Sequence, residues 1–228
     1  MKRFYLSVLF LCSFGSLFAG GPSFAFCDYS QGKVFIQENG EIVWEHKAPD
    51  SNDIWVLPNK NILFTAGKEV LEVSRKNDTI FHYTSESNIF ACQRLKNGNT
   101  FIGECDNGRL LEVSPDGSIV KDVSILPFGV KTGGHAFMRN ARCLDNGHYL
   151  VAHYGGKSVV EYDENGKAVW NIPISGGAHS VIRLPSGNTL VAVTDKDNNP
   201  GVFEYDMAGN IVWSLTNKDL PGTLKFAG

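Results

Sequence analysis

Two short sequence pieces recur at nearly fixed spacing, and this repetition limits the folds open to the chain more than any other feature. The first runs from a leucine into a turn: Leu57-Pro58-Asn59-Lys60-Asn61, Leu95-Lys96-Asn97-Gly98-Asn99, Leu144-Asp145-Asn146-Gly147-His148 and Leu184-Pro185-Ser186-Gly187-Asn188. The leucines stand 38, 49 and 40 residues apart. The second piece reads Val-x-Glu-x-Asp-x-x-Gly-x-x-Val-Trp at its clearest and is anchored by Glu72, Glu112, Glu161 and Glu204. Nine residues after each come Phe81, Lys121, Trp170 and Trp213, and Phe35 and Trp44 carry the same offset near the N-terminus. A constant offset in successive copies marks one structural unit used several times.

Each copy reads as four short strands. Ile54–Leu57 and Ile62–Thr65 flank an Asn-Lys turn, and Thr189–Val193 follows a Ser-Gly turn. Such turns supply the positive φ that a tight hairpin needs. Val159–Tyr162 and Ala168–Trp170 add two strands around a second Gly-containing turn. Helical periodicity is absent. Four antiparallel strands repeated about every 40 residues predict an all-β fold, a β-propeller of four-stranded antiparallel blades. Residues 24–46 offer three strands of a first blade without its innermost one, and four fuller blades follow. Five blades are expected if the chain is complete, with Thr223–Ala227 closing the ring. About six are expected if it is cut short.

The units Val160–Trp170 and Val202–Trp213 resemble the repeats of the PQQ-like (quinoprotein-type) β-propeller superfamily. His179-Ser180-Val181-Ile182-Arg183-Leu184-Pro185-Ser186-Gly187-Asn188-Thr189-Leu190 resembles the repeat of arylsulfotransferase-like propellers in particular. The resemblance covers residues 24–228 and implies a secreted bacterial propeller. It would make a central histidine the nucleophile, with further His and Arg residues on the sulfuryl oxygens. His179 matches the repeat's histidine position, where the other copies carry Asn52, Phe90 and Arg139. The matched residues are those that build blades, so no quinone ligands are carried over and no cofactor is assigned.

The N-terminus reads as a separate element. Lys2 and Arg3 precede an apolar run from Phe4 to Phe18, and Ala19 offers a small residue before Gly20. This is the layout of a secretory signal peptide over residues 1–19, leaving a propeller domain over 20–228. The run is shorter than the roughly 20 apolar residues of a membrane span. A secreted location, periplasmic or extracellular, is therefore expected, with no membrane span after cleavage. Loss of Lys2 and Arg3 takes the net charge from −3 to −5. That balance excludes the basic footprint of a nucleic-acid binder. Cys27, Cys92, Cys105 and Cys143 remain, and free buried thiols are expected of them.

Hairpin geometry narrows the search for a site. Positions five before and nine after each leucine are equidistant from the turn and are expected at one mouth of the central channel. The first set is Asn52, Phe90, Arg139 and His179, and the second is Ala66, Glu104, His153 and Val193. Asp28 falls near the Glu104 position of the first blade. About nine extra residues between Lys121 and Leu144 form a loop over the same mouth, carrying His135. Long loops on a rigid scaffold concentrate binding residues. The candidate ligand-binding set is therefore Asp28, Glu104, His135, Arg139, His153 and His179. Arg139 would fork onto an anion. His179 and His135 are the candidates for a catalytic nucleophile or base. Three histidines also have the chemistry of a divalent-metal site, but their spacing specifies no ligand set and no metal is assigned. The expected function is a monomer that binds a small polar or anionic ligand, carbohydrate included. The alternatives are an arylsulfotransferase-like or other enzyme and a protein-interaction scaffold.

Overall fold

The structure is a computed structural model that describes residues 21–219 apart from 128, 130, 131, 196 and 198. Residues 1–19, where a signal peptide is expected, and the segment Thr223–Ala227 lie outside the described residues. Five antiparallel sheets form the blades of a five-bladed β-propeller, with no helix among the described residues. Blade 1 holds β1 (Gly21–Asp28), β2 (Lys33–Asn39) and β3 (Glu41–Lys47). Blade 2 holds β4 (Ile54–Val56), β5 (Ile62–Ala66), β6 (Glu69–Val73) and β7 (Thr79–Thr84). Blade 3 holds β8 (Ile89–Arg94), β9 (Thr100–Glu104), β10 (Arg109–Val113) and β11 (Ile119–Ser124). Blade 4 holds β12 (Asn140–Cys143), β13 (Tyr149–His153), β14 (Ser158–Tyr162) and β15 (Ala168–Pro173). Blade 5 holds β16 (Gly177–Arg183), β17 (Thr189–Thr194), β18 (Pro200–Tyr205) and β19 (Ile211–Thr216). Strands pair in chain order in every blade, and blade 1 has three strands among the described residues.

The two repeated pieces are two halves of one contact. The last residue of the leucine turn hydrogen-bonds the glutamate of the other piece. Asn61 donates to Glu72 at 2.6 Å, Asn99 to Glu112 at 2.6 Å and Asn188 to Glu204 at 2.7 Å, while His148 takes the same place on Glu161 at 2.8 Å. The turn itself needs a positive φ three residues after the leucine. Gly98, Gly147 and Gly187 supply it at 88°, 84° and 88°, and Lys60 adopts 70° in blade 2.

Blades are joined by alternating side chains that bury one sheet face against the next. Leu150, Ala152, Val159 and Ile172 of blade 4 pack on Val181, Val191 and Val193 of blade 5. Leu63 and Val70 of blade 2 meet Ile102 and Leu111 of blade 3 in the same manner. Each fully buried aliphatic side chain contributes about 1.5–3 kcal/mol. A polar latch is added at two of these seams. Arg94 of blade 3 binds Glu72 of blade 2 at 2.6 Å over the ring of Phe81, and Arg183 of blade 5 binds Glu161 of blade 4 at 2.7 Å over Trp170.

Blade 1 departs from the expected register by one residue. Trp44 lies opposite Ile36 rather than beside Phe35, so their partners are eight residues apart, not nine. The cause is its tighter turn: Asn39 and Gly40 form a two-residue connection with φ of 54° and 88°. The four cysteines Cys27, Cys92, Cys105 and Cys143 are free thiols.

Candidate functional site

The innermost strands of blades 3 and 5 each carry a bulge at the position five residues before the leucine. In β8, Ile89 pairs with Glu104 and Ala91 with Gly103, leaving Phe90 unpaired. In β16, Ala178 pairs with Val193 and Ser180 with Ala192, leaving His179 unpaired. A bulge re-aims its extra side chain, and bulges are common beside binding sites. The bulge also breaks the symmetry assumed from the sequence. In these two blades the residue nine after the leucine pairs with the one six before it, so there the two candidate positions do not share one surface.

Three members of the first set, Phe90, Arg139 and His179, converge, while Asn52 bonds locally to Thr65 and Asp50. The guanidinium of Arg139 lies 5.0 Å from the centre of the Phe90 ring. His135 meets Phe90 edge-on at 5.8 Å and Tyr154 at 5.7 Å. Tyr154 in turn contacts His179 at 4.9 Å, and Thr194 Oγ1 lies 2.8 Å from His179 Nε2. Arg139, His135 and His179 thus form one cationic, aromatic-walled cluster contributed by blades 3, 4 and 5. The loop insertion before blade 4 brings His135 in. Its backbone is fastened by Gly133 N donating to Asp106 O at 2.7 Å and by Gly155 N donating to Ala136 O at 2.7 Å.

Close packing at the cluster depends on glycine. A Cβ on Gly177 would fall within the Tyr154 ring, and one on Gly133 would lie 2.7 Å from Phe137 and 2.8 Å from the Cys105 carbonyl.

The electrostatics follow from this crowding. Burial, then the charge of Arg139 and the neighbouring His135, pulls His179 down to about 4. Burial and Arg139 lower His135 in the same way. Burial lowers Arg139 itself, and Tyr29, Cys105 and Tyr154 stand around it. Among the described residues no carboxylate forms an ion pair with Arg139.

The remaining sequence candidates point elsewhere. Glu104 is fully buried and accepts from Ser85 at 2.6 Å, Arg109 at 2.8 Å and Asn107 at 3.1 Å. Burial pushes its carboxyl up, but those hydrogen bonds hold it below the ordinary value. His153 is buried, with Nδ1 against the Phe137 carbonyl and Nε2 2.8 Å from the Tyr162 hydroxyl. Asp28 caps its own turn by accepting from Ser30 at 2.7 Å and from Gln31 at 2.6 Å. The structure therefore joins His135, Arg139 and His179, and leaves Asp28, Glu104 and His153 with local partners. With His153 turned inward, the three histidines do not form a set, and among the described residues no group of three His, Cys, Asp or Glu is placed to hold a metal ion. Tyr154 and Thr194 escaped the sequence reading because both lie ten, not nine, residues after their leucine. In blade 5 the bulge shifts the pairing so that Thr194 lies opposite Gly177, two residues before His179.

Comparison with known proteins places this architecture. No family model and no curated protein matches the chain. Solved structures do. A protein of unknown function from Bacteroides caccae is similar with a TM-score of 0.76 and 23% identity, over 89% of this chain and 76% of that one. A streptogramin B lyase is similar at 0.59 and 16% identity, over 85% of this chain and 64% of that one. The virginiamycin B lyase of Staphylococcus aureus gives 0.57 and 16%, over 86% and 70%. The likeness is one of fold. The chain spans about two thirds to three quarters of these neighbours' length.

Proposed function

We propose that the cluster of Arg139, His135 and His179 binds a small anionic ligand at one mouth of the channel. The observation that carries this reading is Arg139: a half-buried guanidinium, held over Phe90 between two imidazoles, with no carboxylate pairing to it among the described residues. A partly desolvated cation without a counter-charge gains strongly from a charge-assisted hydrogen bond. Tyr154 and Phe90 supply flat apolar walls that fix orientation while a few polar groups give specificity. A carboxylate, sulfate or phosphate fits, including an acidic carbohydrate. The enzyme alternative with His179 or His135 as nucleophile or base is less well supported. An imidazole at about 4 is a weak base at neutral pH.

The reading includes a secreted monomer of the PQQ-like or arylsulfotransferase-like class, supported by the Lys2–Ala19 leader and the repeat units ending at Trp170 and Trp213. Thermal unfolding with sulfate, phosphate, acetate, benzoate and neutral oligosaccharides tests it. Anions should raise the midpoint through binding to the native state. A rise with neutral sugars alone would contradict it.

A further inference from the structure

Blades 2, 3 and 4 each present one face toward the next, built from the same four positions. They are the residue six after the leucine, the one eight after it, the one two before the glutamate, and the one two after the Phe/Lys/Trp position. In blade 4 these are Leu150, Ala152, Val159 and Ile172, all at most 2% exposed beneath blade 5. In blade 5 they are Leu190, Ala192, Val202 and Leu215, apolar at every position yet only partly buried. A cavity of about 280 Å³ lies against three of them, Ala192, Val202 and Leu215. The latch position is open as well. Trp213, the counterpart of Phe81 and Trp170, is 47% exposed where the others are covered by Arg94 and Arg183. Glu204 accepts from Asn188 at 2.7 Å, as Glu72 does from Asn61, and has no arginine on it among the described residues.

We propose that this outer face of blade 5 is an interface for one further blade of the same repeat, carrying an arginine immediately before its hairpin leucine. The occupant follows from continuity with the four seams already in the molecule. Apolar residues at matched positions need an apolar sheet face. The pair of Glu204 and Trp213 needs a guanidinium that both binds a carboxylate and stacks on an indole, which lysine does poorly. Arg94-Leu95 and Arg183-Leu184 show the arrangement that satisfies both. His179 lines the same cavity, so the added blade would also border the mouth.

The test extends the full chain, through a flexible linker, by a second copy of residues 86–124, which contains Arg94 and Leu95. Trp213 emission is isolated by difference against Trp213→Phe. The expected result is a blue shift and at least a twofold fall in acrylamide quenching of Trp213, both reversed when the appended arginine becomes Ala. Unchanged Trp213 emission in a folded extended protein would overturn the proposal. Sedimentation of the unextended chain covers the other occupant: a concentration-dependent dimer that already protects Trp213 would assign the face to a second copy and overturn it. Should the extended chain fail to fold, Leu215→Asp and Ile172→Asp in the unextended chain are compared. The proposal expects Leu215→Asp to leave the unfolding midpoint nearly unchanged and Ile172→Asp to lower it. Equal losses would show that the face is already covered, and would overturn it.

Discussion

Arg142 of blade 4 and Asp53 of blade 2 meet across the channel from blades that are not neighbours, Nη1 2.6 Å from Oδ2 and Nη2 2.9 Å from Oδ1. The same Asp53 Oδ2 accepts from Cys92 N of blade 3 at 2.9 Å, and Trp55 lies under the guanidinium at 5.0 Å. One buried carboxylate therefore ties three blades together. Asp53→Ala leaves Arg142 buried without a counter-charge, and a loss of about 3–5 kcal/mol in urea unfolding is expected. Adding Arg142→Met should restore part of that loss. A single-variant loss below about 1 kcal/mol would show that the pair is solvated.

Gly177→Ala should act on fold and site together. The new methyl collides with the Tyr154 ring, which packs between His135 and His179. Overpacking of this kind costs about 1–3 kcal/mol. The companion readout is Tyr154 itself: its ring signals should shift in NMR, and unshifted signals would contradict the collision.

Stability should fall with acid through the histidines of this region. His179 drops from an ordinary 6.5 to about 4 on folding, and His135 and His153 move in the same direction. Between those values the unfolded chain binds the proton and the folded one does not. Their contribution is complete above about 6.5 and is lost as pH falls through the folded values. Urea midpoints between pH 7.5 and 4.5 should decline, and His179→Gln should flatten the decline. An unchanged slope in that variant would remove His179 from the explanation.

Binding should carry the opposite sign. An anion beside His179 and His135 offsets the charge of Arg139 and raises both imidazoles, so ligand uptake brings protons with it. Sulfate stays doubly charged over this range, and its affinity should rise from pH 7.5 to 5.5. His135→Asn with His179→Asn should abolish that dependence.

The blades were legible in the sequence because their construction is local. Asn-Gly, Ser-Gly and Asp-x-x-Gly turns set many of the hairpins, with Lys60 and Asn77 taking the positive φ in blade 2, and apolar alternation sets each face. The site was legible only in part. Arg139, His135 and His179 emerge from repeat arithmetic and the insertion, but the arithmetic assumes unbroken pairing. The bulges at Phe90 and His179 add one residue to a strand without a distinctive composition, and the one at Phe90 pairs Glu104 with Ile89 instead. His153 is drawn inward by the Phe137 carbonyl and the Tyr162 hydroxyl. The same limit explains blade 1, where the Asn39-Gly40 turn shortens a connection by one residue and moves Trp44 opposite Ile36. Hydrogen bonds that satisfy a buried carboxylate, as at Glu104, depend on residues from two blades and leave no trace in spacing.

The most direct test of the account is calorimetric titration of the protein with sulfate at pH 6, alongside Arg139→Met. Hydrogen bonds to a charged group contribute about 1.5–3 kcal/mol, so the substitution should weaken binding by roughly 10- to 150-fold. The account predicts saturable one-to-one binding in the parent protein and that loss in the variant, with thermal midpoints nearly equal. Absence of saturable binding, or equal affinity in Arg139→Met, would contradict it.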